Sequence, residues 1–128
     1  MKRDKPKHGD GRRRLTEIRR GLTQRREACG FTFYLTVNFF ENNGPGEVFV
    51  KIAKEGSTVS GFIDALAITL SIALQYDVPW EVLYDKYLNQ IFEPRDDENS
   101  SLVHAIATGI DELIKEWKKG NKYVERKV

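Results

Sequence analysis

The chain has a single cysteine, Cys29, and only two histidines, His8 and His104. One thiol excludes an internal disulfide, and so few sulfur and imidazole ligands argue against a zinc site. Long apolar runs are missing too. No stretch approaches the ~18 uninterrupted apolar residues of a bilayer span. The first residues, Met1-Lys-Arg-Asp-Lys-Pro-Lys7, are charged and lead into no apolar segment of the secretory kind, so a cytoplasmic chain is expected. There is no P-loop, no glycine-rich dinucleotide fingerprint and no convincing Ser-His-Asp set. What is present is a chain of 128 residues, 40% hydrophobic and 31% charged, which is enough for one globular domain with one modest core.

The net charge of +2 hides an uneven distribution. Residues 1–26 hold 11 Lys/Arg against 3 Asp/Glu, residues 27–114 hold 4 against 14, and residues 115–128 hold 6 against 2. An acidic body thus carries basic ends. Such ends attract phosphates by Coulomb forces, or else fold onto the acidic body of the same chain or of a twin subunit.

Residues 1–14 read as a flexible basic arm, and the sparse apolar positions Leu15, Ile18 and Leu22, with Gly21 between, suggest an extended or irregular continuation to Arg26. Phe31–Asn38 alternates Phe31, Phe33, Leu35 and Val37, the pattern of a strand with one buried face. A dense turn signal over Glu41–Gly46 leads to a return strand, Glu47–Ala53, giving an antiparallel hairpin. Gly56 is expected at positive φ. Ser57 or Thr58 caps a helix running to about Tyr76, apolar around most of its circumference, which suggests that a partner subunit covers one side. Pro79 opens a second helix with Trp80, Leu83, Tyr84, Tyr87, Leu88 and Ile91 on its core face, stopped at Phe92-Glu-Pro94. A last helix starts at Ser100 or Ser101, carries one apolar stripe from Leu102 to Trp117, and ends at Gly120. The fold class is α+β: a hairpin or small sheet, then three helices. The domain is placed at residues 15–119, with a basic tail over 120–128.

Two places could hold a ligand. At 100° per residue, Ser57, Ser60, Asp64, Ser71 and Gln75 fall within about 60° on the first helix. One carboxylate, three hydroxyls and an amide on one line suit the hydroxyls or base edges of a nucleotide. They equally suit a solvent-facing edge or a polar seam between subunits. The second place is Phe92–Glu98, where Arg95 could clamp a phosphate and the acidic side chains could hold a hard cation, although a calcium-loop spacing is absent. His104 reads as a surface histidine, and Cys29 has no catalytic partner nearby.

With these elements placed, the chain resembles the small C-terminal accessory domain that follows the radical barrel in adenosylcobalamin-dependent (class II) ribonucleotide reductases. This is the domain type named after a Thr-Ser-Cys-Pro-Asp string. The resemblance is carried by Arg14-Leu15-Thr16, Arg19-Arg20-Gly21, Gly46-Glu-Val-Phe-Val50 and Lys54-Glu-Gly-Ser57. It continues through Phe62-Ile-Asp-Ala-Leu-Ala-Ile-Thr-Leu-Ser-Ile-Ala-Leu-Gln-Tyr-Asp-Val-Pro79, Phe92-Glu-Pro94 and Ala105-Ile-Ala-Thr-Gly-Ile-Asp-Glu-Leu113. It spans roughly residues 12–118. The chain departs from the family at Asp77, where glycine is usual, and at Arg95, where a small residue is usual. The Cys-Pro-Asp string and the cysteine-paired tail are absent.

The resemblance implies an ancillary role in deoxyribonucleotide metabolism, with no catalytic residue to carry over. Reduction needs a thiyl-forming cysteine and a redox-active pair, and cobalamin belongs to the barrel, so no cofactor is expected here. The leading expectation is a free-standing, homo-oligomeric module, of a type also resembling phage genes, that binds a nucleotide or docks on a reductase. A sponge for a nucleotide-derived defence signal is the alternative. A small nucleotide hydrolase or transferase relying on Asp64 and the Glu93–Glu98 cluster is the third.

Overall fold

The fold begins with a strand that the sequence pattern conceals. Three strands, β1 (Gly21–Ala28), β2 (Phe31–Phe39) and β3 (Pro45–Ile52), form one antiparallel sheet in the order β1-β2-β3. Helices α1 (Thr58–Gln75), α2 (Trp80–Leu88) and α3 (Leu102–Lys127) follow, as the α+β reading requires. The computed structural model describes residues 9–53 and 56–127, with side chains through residue 120. The first eight residues of the expected arm, Lys54-Glu55 and the side chains of the basic tail beyond Gly120 lie outside the described residues.

Of the extended or irregular continuation expected up to Arg26, residues from Gly21 onward take the extended form, as a paired strand. β1 is polar because it is an edge strand, with Leu22, Gln24 and Arg26 half-buried and the alternate residues in solvent. Gly21 does not break it. A Cβ there would lie 2.2 Å from the Val37 carbonyl oxygen, so glycine is what allows β1 to approach β2. Cys29 and Gly30, at φ 54° and 80°, make the two-residue turn between these strands, whose twist suits a right-handed hairpin.

Alternation in β2 and β3 sends Phe33, Leu35, Val37, Val48, Val50 and Ile52 into the core. α1 covers this face beside β3, and α3 crosses β1 and β2. Gly109 sets that crossing: a Cβ there would meet Leu35 Cδ2 at 2.7 Å. Phe39 closes the end of the core, stacked on Trp117 of α3 with centroids 4.6 Å apart and planes 1° from parallel. α2 leans on α3 through Trp80, whose indole N–H donates to Asp111 Oδ1 at 3.1 Å.

Two helix ends differ from expectation. α2 stops at Leu88 instead of reaching Phe92, and Ile91 is 67% exposed rather than core. The chain folds back there, with the Phe92 N–H donating to the Ser100 carbonyl and the Ser100 hydroxyl donating to that of Gln90. α3 runs through Gly120 to Lys127, since an interior glycine costs a helix only about 1 kcal/mol.

α1 is also less enclosed than its composition suggests. Phe62 and Ile68 are 73% and 61% exposed, and Ile72 and Tyr76 lie on the same outward side. By length and composition alone this helix would suffice to cross a membrane. In the fold it forms one wall of the core.

Candidate functional site

In an antiparallel ladder, every second residue of an edge strand turns its N–H and C=O away from its neighbour. On β3 those groups face α1, and the polar stripe of α1 meets them. The Val48 N–H donates to Ser71 Oγ at 2.9 Å, and the Ser71 hydroxyl lies 3.1 Å from the Val48 carbonyl and 2.8 Å from that of Ala67. Gln75 Nε2 donates to the Gly46 carbonyl at 2.9 Å. Both side chains are buried. The stripe is thus partly a seam, within one chain, that closes the free edge of the sheet.

The other stripe residues have separate positions. Ser57 is the N-cap, accepting from the Ser60 N–H at 3.1 Å. Asp64 is exposed and Ser60 half-buried, and both line the space between α1 and β3. One part of that space, about 410 Å³, is walled by Phe49, Ile68 and Ile72, with Asp64 at one end and Arg12 and Glu47 at the other. A second part, about 460 Å³, shares Phe49 and Asp64 and continues to Ser60 and Gly56. Together they form a groove with Asp64 at its middle.

Arg95 is not brought to this groove. It is exposed on the loop between α2 and α3, with Nε 2.9 Å from Glu93 Oε1, and bonds to no stripe residue among the described residues. Two groove residues, Phe49 and Arg12, escape the stripe arithmetic because they lie on other elements. A signal for Phe49 exists: it is an aromatic on the outward phase of β3, between Val48 and Val50.

The acidic loop has a different task. Asp96 Oδ2 accepts from the Cys29 N–H at 2.8 Å, and Oδ1 accepts from the N–H groups of Glu98 and Asn99 at 2.9 and 2.7 Å. The Cys29 bond, followed by those from Glu98 and Asn99, lowers its carboxyl to about 2. Asp96 pins the loop to the β1–β2 turn, and no metal-holding cluster occurs among the described residues. A depressed carboxyl contributes stability that is complete above its ordinary pKa and lost as pH falls from there towards about 2. Wild type should therefore exceed Asp96→Asn in urea midpoint at neutral pH, and the gap should close between about pH 4 and pH 2. A gap independent of pH would refute this assignment.

Cys29 is buried; burial and then the Asp96 charge push its thiol up, leaving a poor nucleophile at neutral pH. His104 is half-buried rather than on the surface, with Nδ1 buried and unpartnered among the described residues.

Against this geometry, the family model described as the TSCPD domain matches residues 4–114. The chain belongs to the TSCPD domain family. Similar proteins include a vitamin B12-dependent ribonucleotide reductase from Rhodopirellula baltica, 38% identical over 106 residues, covering 83% of this chain and 10% of that protein. The protein of that name from Streptomyces clavuligerus is 39% identical over 102 residues, or 77% of this chain and 11% of its own length. That of Streptantibioticus cattleyicolor is 43% identical over 83 residues, covering 65% and 14%. The TSCPD domain described here thus spans about a tenth of the length of the first two curated relatives it matches. No solved structure matches it.

The backbone also bears on the expectation that glycine is usual at position 77. Asp77 sits at φ 67°, where glycine is at ease and aspartate is better tolerated than most residues. Its carboxylate takes up an ion pair with Arg13 at 3.3 Å.

Proposed function

We propose that this TSCPD domain is a non-catalytic accessory module of deoxyribonucleotide metabolism that acts by holding a nucleotide in the groove between β3 and α1. The observation that carries this reading is the make-up of the groove. A space of about 410 Å³ with apolar walls and one exposed carboxylate has the size and polarity of a small-molecule site. Phe49 and Ile68 offer faces for a base, and Asp64 accepts from ribose hydroxyls or the amino edge of a base. The relationship to ribonucleotide reductases supplies the metabolic setting. The groove needs no redox chemistry, so the single buried thiol is no obstacle.

Native mass spectrometry of the protein purified from cells tests this directly. The expected spectrum carries a retained nucleotide. Asp64→Ala should weaken retention about tenfold or more, the scale for losing hydrogen bonds to a charged group, while leaving the thermal midpoint in place. Retention unchanged by Asp64→Ala would remove the groove from the function. The same spectrum counts subunits, and a homo-oligomer would bury the outward side of α1 around Phe62. A co-purifying reductase would appear in it as well.

A further inference from the structure

Residues 12–19 bring positive charge to one end of the groove. Arg12, Arg13, Arg14 and Arg19 line a polar cavity of about 220 Å³ that shares Arg12, Glu47 and Gln75 with the groove. The segment is held in place from both sides. Leu15 is buried, the Arg13 N–H donates to the Gln75 carbonyl at 2.8 Å, and the Arg13 guanidinium lies 3.7 Å from the Phe40 ring centroid. These contacts fix a run of cations that an unanchored chain would spread apart.

The local partners leave donors to spare. Arg12 uses Nε on Gln75 Oε1 at 2.7 Å, and its terminal nitrogens bond to no described residue. Arg19 uses Nε on Glu47 Oε1 at 2.9 Å and Nη1 on the Thr16 carbonyl. Arg14 is half-buried, and no described residue accepts from it. Four guanidiniums therefore face one carboxylate within the cavity lining, with Asp77 beside Arg13. Clustered like charges repel, and guanidinium groups match phosphate oxygens in paired hydrogen bonds. The C-terminal end of α1 lies here, and its carbonyls favour nearby cations. That accounts for Arg12 and Arg13, which bond to Gln75 or stand over Phe40; among the described residues, Arg14 and the terminal nitrogens of Arg12 have no acceptor.

We propose that this arginine pocket binds the phosphates of a nucleoside di- or triphosphate whose base and sugar occupy the adjoining groove. The proposal rests on the nucleotide reading above and adds a phosphate pole to it. The ligand then crosses from the apolar part of the groove beside Asp64 to a cationic end, and Arg12 and Gln75 stand at the junction.

Calorimetric titration of the full chain separates the two ideas. The probes are ATP, GTP, CTP and UTP, each compared with its nucleoside, and inorganic tripolyphosphate, all at one fixed salt concentration. At least one triphosphate should bind, its nucleoside should bind about a hundredfold more weakly, and tripolyphosphate should compete. Arg14→Gln should lower triphosphate affinity about tenfold or more without altering nucleoside binding or the thermal midpoint, and Arg14→Lys should recover part of the loss. Equal affinity for a triphosphate and its nucleoside, undisturbed by Arg14→Gln, would overturn the phosphate pole while leaving the groove reading intact. Tripolyphosphate binding as tightly as any nucleotide, with Asp64→Ala and Phe49→Ala silent, would keep the arginine pocket and overturn its coupling to the groove. No binding by any probe at millimolar concentration would overturn both.

Discussion

Phe39→Ala should lower the stability of the domain by about 3–5 kcal/mol, among the largest effects expected of a point substitution here. Phe39 is 1% exposed and stacks in parallel on Trp117 at 4.6 Å, so its removal empties a space at the end of the sheet and strips one face of the indole. Rearrangement cannot readily fill that space, because β2 is fixed by pairing on both sides and Trp117 is tied to Asn43 Oδ1 at 3.1 Å. For a domain of this size the loss corresponds to a fall of roughly 10–20 °C in the thermal midpoint. Calorimetry on wild type and variant measures it. A fall of only a degree or two would mean that α3 does not close the core through this pair.

Ser71→Val comes next, and it bears on function as well as stability. The substitution replaces the hydroxyl with two methyl groups, leaving the Val48 N–H and C=O facing an apolar surface at the free edge of β3. Each buried polar group left unpaired costs about 1–3 kcal/mol, so a loss on the order of 3 kcal/mol is expected from the pair. Hydrogen exchange should locate the damage, with the Val48 amide losing protection ahead of the β1–β2 ladder. Ligand binding should weaken only to the extent that α1 separates from β3. If Ser71→Val abolished nucleotide retention with stability unchanged, Ser71 would be a ligand contact and the seam a secondary matter.

The contrast between Ser71 and Asp64 shows how far the sequence reaches into the candidate site. Both lie within one angular stripe of α1, and helical periodicity places them there without any knowledge of the fold. Periodicity cannot say what stands opposite. β3 brings backbone groups against Ser71 and Gln75, which are consumed in closing the sheet edge, and leaves Asp64 beside open space. Phe49 and Arg12 complete the groove from residues 15 and 52 positions before Asp64, a proximity that only the packed chain creates. Arg95, chosen from its local neighbours alone, is matched by Glu93 and stays apart from the groove.

The same division runs through the fold. Regular alternation made β2 and β3 legible, and the capped apolar stretch made α1 legible, because each element's burial pattern repeats along its own length. β1 was hidden. Its polar composition answers to a sheet edge, and its glycine answers to the backbone of Val37 and Asn38 across the ladder.

By itself the sequence determined the fold class and family membership, since these depend on local pattern. Tertiary structure alone decided which polar side chains are satisfied by backbone and which stay open to a ligand. That outcome depends on partners distant in the chain, whose approach is governed by packing of the whole core rather than by any one segment.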